Sequence, residues 1–291
     1  MKLTEYMEVL EAEIEHSKNR TGQKLRLEEI KNKYKDYNGE DALISSEELV
    51  EKIKSEVEEF KMPTGFNQID SILGGFRLGQ LVTISATTGS GKTTFAMEIT
   101  IRLKEHNPVW IPFEEGAEEL IRKFLERNET PPLFYTPKNI TGKSVNWIEQ
   151  RIIEGKVKHN SKVFFIDHLH FIVPFAGDRH DLAVGRTMRD LKELAKKWEV
   201  CIFIICHLKK VDLDKMPTLD ALRDSSFIGQ ESDTVIMLWR LNKEGYENYV
   251  KISVQKNRRT GKLGYSEMIF QDGRFLQKAF PDIKSSYKGY E

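Results

Sequence analysis

The hydrophobic pattern of the chain changes character near residue 60. Before that point apolar residues recur every three or four positions, as in "LVEKIKSEVEEF" at 49–60, which predicts amphipathic helices. Ser45 stands three residues before Glu48, the spacing of a helix-capping box. Residues 1–60 are therefore expected to form a short helical extension, which is either solvated or serves as a linker packed on a neighbour.

From Pro63 onward, short apolar runs alternate with amphipathic segments, which predicts alternating strands and helices. Strands are predicted over 80–86, 108–114, 162–173, 200–208, 233–240, 248–257 and 266–277, and helices over 92–106, 117–128, 144–156 and 184–199. Asp272 and Gly273 predict a hairpin turn within the last of these strands. The alternation implies an α/β fold over residues 61–291, with a mainly parallel sheet, helices on both faces and antiparallel C-terminal strands.

Composition and charge narrow the function classes only slightly. The chain has 45 basic residues (Lys and Arg) and 45 acidic residues (Asp and Glu), so its net charge is zero. Binding of a polyanion therefore requires a local basic surface. Cys201 and Cys206 share one apolar run and are expected to be buried thiols rather than a redox motif or zinc ligands. The N-terminus is charged and no apolar stretch is long enough to span a bilayer, so a cytoplasmic protein without membrane partners is expected.

The segment "SATTGSGKTTF" at 85–95 follows an apolar strand and opens a helix, the context of a phosphate-binding loop. Ala86 stands where the usual pattern has its first glycine. Backbone N–H groups beside the glycines can cradle phosphate oxygens, the Lys92 ammonium can contact the β- and γ-phosphates, and the Thr93 hydroxyl can bind Mg²⁺. The pattern predicts a site for ATP and Mg²⁺. The expected nucleotide ligands are Thr88, Gly89, Ser90, Gly91, Lys92, Thr93 and Thr94.

Two other strands end in acids that belong at the same edge of a parallel sheet. Asp167 ends the run "VFFID", where its carboxylate can join Thr93 in the magnesium shell. Glu114 ends "WIPFE", where it can serve as the general base for the attacking water. Glu115 is the alternative base, although it also fits the simpler role of an acid at a helix N-terminus. The predicted reaction is ATP hydrolysis.

Several stretches in order carry a family resemblance: "PTGFNQIDSILGGFRLGQLVTISATTGSGKTTFAMEI", "FEEGAEELIRKFL", "FFIDHLHFI", "TLDALRDSSFIGQESDTVIMLWR" and "KISVQKNRRTG". Together they resemble the ATPase domain of DnaB-type hexameric replicative helicases, which has a RecA-like P-loop fold. The resemblance covers about residues 62–280. It implies an ATP-dependent helicase that moves on single-stranded DNA as a hexameric ring during DNA replication, with a primase and other replication proteins as partners.

The resemblance also implies roles for individual residues. Glu114 matches the family's catalytic glutamate and Asp167 its Walker B aspartate. His207 occupies the position of a glutamine that senses the γ-phosphate, on a strand between those of the P-loop and Walker B. Lys256 and Arg258 match a lysine and an arginine finger that act on the ATP of the neighbouring subunit.

DNA contacts are expected around the segment "LRDSS", which matches the loop that touches DNA inside the ring. The resemblance implies contacts from Arg223, Asp224 and Ser226. Charge adds further candidates, which are Lys209, Lys210 and Arg179. The alternative for Arg223 is a local ion pair with Asp220 or Asp224.

The chain departs from the family pattern at three histidines. His168 and His170 stand where family members usually have Tyr and Gln, and His207 replaces a Gln. If His168 and His170 lie on one face of a strand with His207 nearby, a metal site is an alternative interpretation. The residues before the ATPase domain suffice for the family's linker helix but not for its larger N-terminal domain. Two interpretations are open: a minimal helicase of a phage or plasmid type, or a relative that no longer unwinds replication forks.

Two other functions stay open at this point. One is a RecA- or KaiC-like oligomeric ATPase with a regulatory or recombination role and no unwinding. The other is a binding module that uses ATP only to assemble. Lys256 and Arg258 favour hydrolysis across a subunit interface, and the "LRDSS" loop favours translocation on DNA.

Overall fold

The computed structural model describes residues 35, 37–39, 42–55, 61–87, 89–174, 180–208, 216–222, 225–240 and 248–277. The chain divides into two compact units, Met1–Glu59 and Phe60–Glu291. In the first unit, helix α1 is Ser46–Ser55. Its start confirms the capping box, because the Ser45 N–H donates to the Glu48 carboxylate at 3.0 Å and the Glu48 N–H donates to the Ser45 hydroxyl at 3.1 Å.

The second unit contains the alternating elements that the hydrophobic pattern predicted. Its strands are β1 Leu81–Ala86, β2 Val109–Pro112, β3 Val163–Asp167, β4 Cys201–His207, β5 Thr234–Arg240, β6 Tyr249–Asn257, β7 Gly264–Gln271 and β8 Arg274–Gln277. Its helices are α2 Asn67–Leu73, α3 Lys92–Arg102, α4 Ala117–Glu126, α5 Val145–His159, α6 His180–Lys197 and α7 Ser225–Glu231, with 3₁₀ turns at Lys104–His106, Leu169–Phe171 and Leu219–Ala221. Among the described residues, no helix combines the length and apolar character that crossing a membrane requires.

The described strands form one sheet in the order β2-β3-β4-β1-β5-β6-β7-β8. The first five strands of this order, from β2 through β1 to β5, pair in parallel. Strands β6, β7 and β8 extend the sheet antiparallel. The last two strands meet at Asp272 and Gly273, whose φ angles of 51° and 72° are those of a type I′ hairpin turn. The expected α/β architecture and the hairpin are confirmed.

Helices cover both faces of the sheet, and alternate residues of each strand belong to different cores. In β4, Phe203 packs with α2, α3 and α4 residues on one face, whereas Ile204 packs with α5, α6 and α7 residues on the other. Cys201 lies in the first core and Cys206 in the second. Both are buried free thiols, as expected, and they face opposite sides of the sheet.

The strand predicted over 162–173 is wrong beyond Asp167. Its neighbour β2 ends at Pro112, which pairs with Asp167, so no β2 residue continues the ladder past that point. The chain instead enters the 3₁₀ turn, where the ring of His168 accepts the backbone N–H of His170 at 3.3 Å. Leu169 and Ile172, three residues apart, both pack in the second core, which favours a helical turn over a strand here.

A buried ion pair fixes the amino end of β1. The Asp233 carboxylate accepts the Leu81 N–H at 2.8 Å and the Lys192 ammonium of α6 at 2.5 Å. Lys192 also donates to the Gly79 carbonyl at 2.7 Å. The pair therefore joins the starts of β1 and β5 to α6, at the edge of the sheet opposite the glycine-rich loop.

Replacing Asp233 with alanine should leave the Lys192 ammonium buried without its counter-ion. The free energy of unfolding should then fall by about 3–5 kcal/mol, measured by urea denaturation. The matched control is Glu119→Ala, which removes the partner of the exposed Arg122 on the surface of α4 and should cost less than about 1 kcal/mol. Equal losses from the two substitutions would contradict an anchoring role for the buried pair.

Candidate active site

The carboxyl ends of β1, β2, β3 and β4 lie at one edge of the sheet because these strands run parallel. The register pairs Ala86 at the end of β1 with His207 at the end of β4, and Asp167 at the end of β3 with Pro112 at the end of β2. Strand β4 lies between β1 and β3, which agrees with the position expected for the sensor strand. Four predicted functional residues thus come from separate strand ends to this edge: Lys92, Glu114, Asp167 and His207.

The glycine-rich loop has the backbone that its sequence requires. Gly89 and Gly91 have φ angles of 78° and 84°, in the left-handed region that favours glycine. The Ser90 N–H donates to the Thr87 carbonyl at 3.1 Å, which closes the turn, and α3 begins at Lys92. The loop therefore leads directly into a helix N-terminus, where backbone N–H groups and the helix dipole favour an anion. Thr88 lies outside the described residues.

The residues beside this loop fit a nucleotide-bound dication. The Thr93 hydroxyl donates to Oδ2 of Asp167 at 3.1 Å, so two of the predicted magnesium ligands already touch. Asp167 is 4% exposed, and its Oδ1 is buried without a hydrogen-bond partner among the described residues. Burial raises the pKa of Asp167 to about 6, although the Thr93 hydrogen bond acts in the opposite direction. A dication at this carboxylate would offset the cost of keeping its charge buried.

Lys92 is buried beside these acids. Burial lowers the pKa of its ammonium, and the charges of Asp167 and Glu114 oppose that effect. The three charged groups are therefore close enough to influence one another. Thr94, the last predicted nucleotide ligand, is half-buried in the first turn of α3.

Glu114 is tied to the end of β3 through its backbone. The Asp167 carbonyl accepts the N–H groups of both Phe113 and Glu114, at 2.6 and 3.1 Å. The Glu114 side chain is 39% exposed, so water can reach it. Glu115, the alternative base, forms an ion pair with Lys123 of α4. This pairing favours Glu114 over Glu115 as the residue available to the nucleotide site.

The histidines are arranged differently from the sequence-based alternative. Since His168 follows β3 and His170 lies in the 3₁₀ turn, the two rings do not share one face of a strand and are perpendicular, with centroids 5.3 Å apart. Instead, Nε2 of His168 lies 3.5 Å from one Glu114 oxygen, and Nε2 of His207 lies 3.8 Å from the other. The peptide between Asp167 and His168 is cis.

Lys256 and Arg258 lie at the opposite edge of the sheet. Strand β6 runs antiparallel to β5, so Asn257 pairs with Thr234 at the amino end of β5. Strand β1 separates this end from the glycine-rich loop by roughly 15 Å, since a strand rises about 3.3 Å per residue. The two cations are therefore too distant to act on a nucleotide in the same subunit.

Both cations contact the carboxyl end of α7. The Lys256 ammonium donates to the Gly229 and Gln230 carbonyls at 2.7 and 2.8 Å, and the Arg258 guanidinium donates to the Gln230 carbonyl at 2.5 Å. Arg258 also faces Asp233 at 3.6 Å. Sequence reasoning missed Asp233, although an acid directly before the apolar strand "TVIMLWR" is a usable signal.

The predicted DNA contacts are described only in part. Ser226 is exposed in the first turn of α7. Leu208 and Leu222, which flank the intervening loop, form an antiparallel bridge and are buried. The other predicted contacts lie outside the described residues: Arg179, Lys209, Lys210, Arg223 and Asp224.

Solved structures of similar fold support the architecture. One structure, described as an ATPase domain, aligns with a TM-score of 0.71 and 23% identity, covering 82% of this chain and 100% of that one. A second, described as a DnaB-like replicative helicase and its interactions with primase, aligns with a TM-score of 0.69 and 20% identity, covering 86% of this chain and 70% of that one. Likeness at this identity shows the fold.

Curated relatives are replicative helicases. The chain is 25% identical to replicative DNA helicase DnaC of Bacillus subtilis in an alignment 273 positions long that covers 80% of this chain and 60% of the relative. It is 25% identical to replicative DNA helicase DnaB of Helicobacter pylori in an alignment 279 positions long that covers 76% of this chain and 57% of the relative. The chain therefore spans less than two thirds of the length of these relatives.

The family comparison covers most of the second structural unit. The family described as DnaB-like helicase C terminal domain matches residues 61–133 and 133–277. The matched region includes the glycine-rich loop, Glu114, Asp167, His207 and the Lys256–Arg258 pair. On this match, which extends over more than half of the chain, the protein belongs to the DnaB-like helicase C-terminal domain family.

Proposed function

We propose that this chain is a replicative DNA helicase that hydrolyses ATP. Identical subunits would assemble into a ring and move along single-stranded DNA. Residues 61–291 would form the ATPase domain, and residues 1–60 a helical linker. The observation that carries the proposal is the division of one catalytic set between two edges of the sheet. Lys92, Thr93, Asp167 and Glu114 meet at one edge, whereas Lys256 and Arg258 lie at the other.

At the carboxyl edge, the chain's own residues would bind and orient the nucleotide. The loop at 89–91 and the start of α3 would hold the phosphates, and Thr93 and Asp167 would hold Mg²⁺. When bound, Mg²⁺ supplies neutralising charge at the β- and γ-phosphates. Glu114 would accept a proton from the attacking water, and His207 would face the γ-phosphate from the end of β4.

The position of the finger residues supports assembly into an oligomer. Because Lys256 and Arg258 cannot reach the nucleotide of their own subunit, a second copy must present its carboxyl edge to them. A closed ring satisfies this requirement for every subunit at once. The resemblance to hexameric helicases favours six subunits, and the structure described with primase interactions favours a primase as a partner.

The proposal is tested first by ATP turnover with and without single-stranded DNA, together with unwinding of a forked duplex. A replicative motor should show DNA-stimulated turnover and ATP-dependent unwinding. Stimulation without unwinding would favour the RecA- or KaiC-like alternative. A rate of ATP turnover that does not change when single-stranded DNA is added would contradict the translocase proposal.

Glu114→Gln should retain ATP binding and lose turnover by about 10²–10⁴-fold, because the amide keeps the size of the side chain but cannot take a proton from water. Single-turnover hydrolysis and nucleotide binding measure the two effects separately. Glu115→Gln is the matched control, since its carboxylate pairs with Lys123 instead. A normal rate in the Glu114 variant with a slow rate in the Glu115 variant would reverse the assignment.

Arg258→Ala should bind ATP but hydrolyse it more slowly, by up to roughly 10³–10⁵-fold, the range measured for arginine fingers. Mixing this variant with Lys92→Ala subunits should restore part of the turnover, because the second variant supplies the missing finger to the first. Arg259→Ala, at the next position, is the control for a general loss of charge. Failure of every mixing ratio to restore turnover would count against action in trans.

Arg223→Ala should weaken binding of single-stranded DNA and abolish its stimulation of turnover. A phosphate contact predicts sequence-independent binding that falls steeply with salt, and the salt slope should shrink by about 1 in the variant. Lys262→Ala, which removes an exposed cation beyond β6, is the control. If Arg223→Ala leaves the slope and the stimulation intact while Arg179→Ala reduces both, the DNA contact belongs to the loop containing Arg179.

A further inference from the structure

Three ligand-bearing side chains meet beside the nucleotide site. One ligand atom each from Glu114, His168 and His207 lies within 4.8 Å of the other two. The His168 and His207 rings are perpendicular, with centroids 4.5 Å apart, and both direct Nε2 toward the Glu114 carboxylate. The group arises because β2, β3 and β4 are adjacent and end at the same edge. His170 does not belong to it.

The spacing of this group matches a shared cation better than direct hydrogen bonds. The nitrogen–oxygen separations of 3.5 and 3.8 Å exceed the usual range for an N–H···O bond, about 2.7–3.2 Å. Zinc binds nitrogen and oxygen ligands at about 2.0–2.2 Å in a tetrahedron, which puts neighbouring ligand atoms about 3.4 Å apart. The three ligand atoms lie within 4.8 Å of one another, so each pair would have to approach by at most about 1.4 Å to reach that geometry.

We propose that Glu114, His168 and His207 form a binding site for a transition-metal dication such as Zn²⁺, and that its occupancy stops ATP hydrolysis. Two imidazoles and one carboxylate are a set that zinc uses with its fourth position open. Imidazole ligands favour zinc over Mg²⁺, whereas the oxygens of Thr93 and Asp167 suit Mg²⁺. The two ions would therefore occupy neighbouring but distinct sites.

The inhibitory part of the proposal rests on the proposed function of Glu114 as the general base. A carboxylate that coordinates a dication holds its lone pairs on the metal and is a poor proton acceptor. Metal binding and water activation at Glu114 are then mutually exclusive. A rise in free zinc would then stop ATP hydrolysis by occupying the general base, without contacting the glycine-rich loop or Thr93.

Two features of the site oppose metal binding. The Lys92 ammonium lies close enough to Glu114 for its pKa to be raised by that carboxylate, so its positive charge repels a dication. The Asp167 carboxylate on the same edge attracts the dication and partly offsets this repulsion. Coordination through Nε2 also requires the neutral His168 ring to carry its proton on Nδ1. Nδ1 can then no longer accept the His170 N–H, which lies 3.3 Å away. That contact is at the long end of the hydrogen-bond range, so its loss is a minor cost.

The first experiment measures metal binding without nucleotide, by equilibrium dialysis of Zn²⁺ and by the absorption bands of tetrahedral Co²⁺. The full chain should bind one ion per subunit at this site. His168→Asn removes the ligand while keeping an oxygen that can accept the His170 N–H, and it should weaken binding by at least about 10–100-fold, the loss typical of an outer-shell partner. His170→Gln is the matched control and should bind as the unmodified chain does.

The second experiment measures ATP turnover in excess Mg²⁺ as Zn²⁺ is raised, with each variant compared with its own zinc-free rate. The unmodified chain and His170→Gln should be inhibited, and a zinc-selective chelator should restore their turnover. His168→Asn should need at least about 10–100-fold more Zn²⁺ for the same fractional inhibition.

The possible failures separate the two proposals. Absence of Zn²⁺ and Co²⁺ binding, or binding that His168→Asn leaves intact, would overturn the metal proposal. Bound zinc without inhibition would also overturn it, provided that Glu114→Gln has lost turnover. Because binding is measured without ATP, it does not depend on the role of Glu114. If Glu114→Gln hydrolyses ATP normally, the proposal that Glu114 is the catalytic base is wrong, and the metal-binding result is unaffected.

Discussion

The parallel register of β1, β2, β3 and β4 is the constraint on which the rest of the molecule depends. It delivers side chains separated widely in the sequence to one edge of the sheet, with Ala86 beside His207 and Pro112 beside Asp167. The buried pair of Asp233 and Lys192 holds the opposite end of β1, so the strand that carries the glycine-rich loop is fixed at both ends. The Thr93 hydroxyl donates to one oxygen of the buried Asp167 carboxylate beside this loop, and this offsets only part of the cost of its burial.

The same sheet separates the two halves of the proposed catalytic set. Antiparallel pairing of β6 with β5 carries Lys256 and Arg258 back to the amino edge, where they bind the last carbonyls of α7. This helix begins within the segment expected to touch DNA, because Ser226 lies in its first turn. A displacement of α7 would therefore move the acceptors that hold both cations. In the proposed ring, this would connect the proposed DNA contact of one subunit to the nucleotide of the next.

The sequence by itself determined the features that depend on a few neighbouring residues. The capping box at Ser45 and Glu48, the turn at Asp272 and Gly273, and the loop before Lys92 were predicted because local spacing dictates their backbone and hydrogen bonds. Alternating strands and helices followed from hydrophobic periodicity, which likewise is a local property.

Only the tertiary structure decided the features that depend on pairing between distant strands. The prediction that a strand continues to residue 173 failed because the chain enters a 3₁₀ turn after Asp167, although β4 continues beside it to His207. The apolar residues Leu169 and Ile172 of this segment instead pack in the second core. Which atoms face Glu114 depends on the adjacency of β2, β3 and β4, so spacing along the chain suggested His170 while the fold excluded it. The far position of Arg258 likewise follows from the direction in which β6 pairs, since strand direction is set by long-range hydrogen bonds that local sequence does not encode.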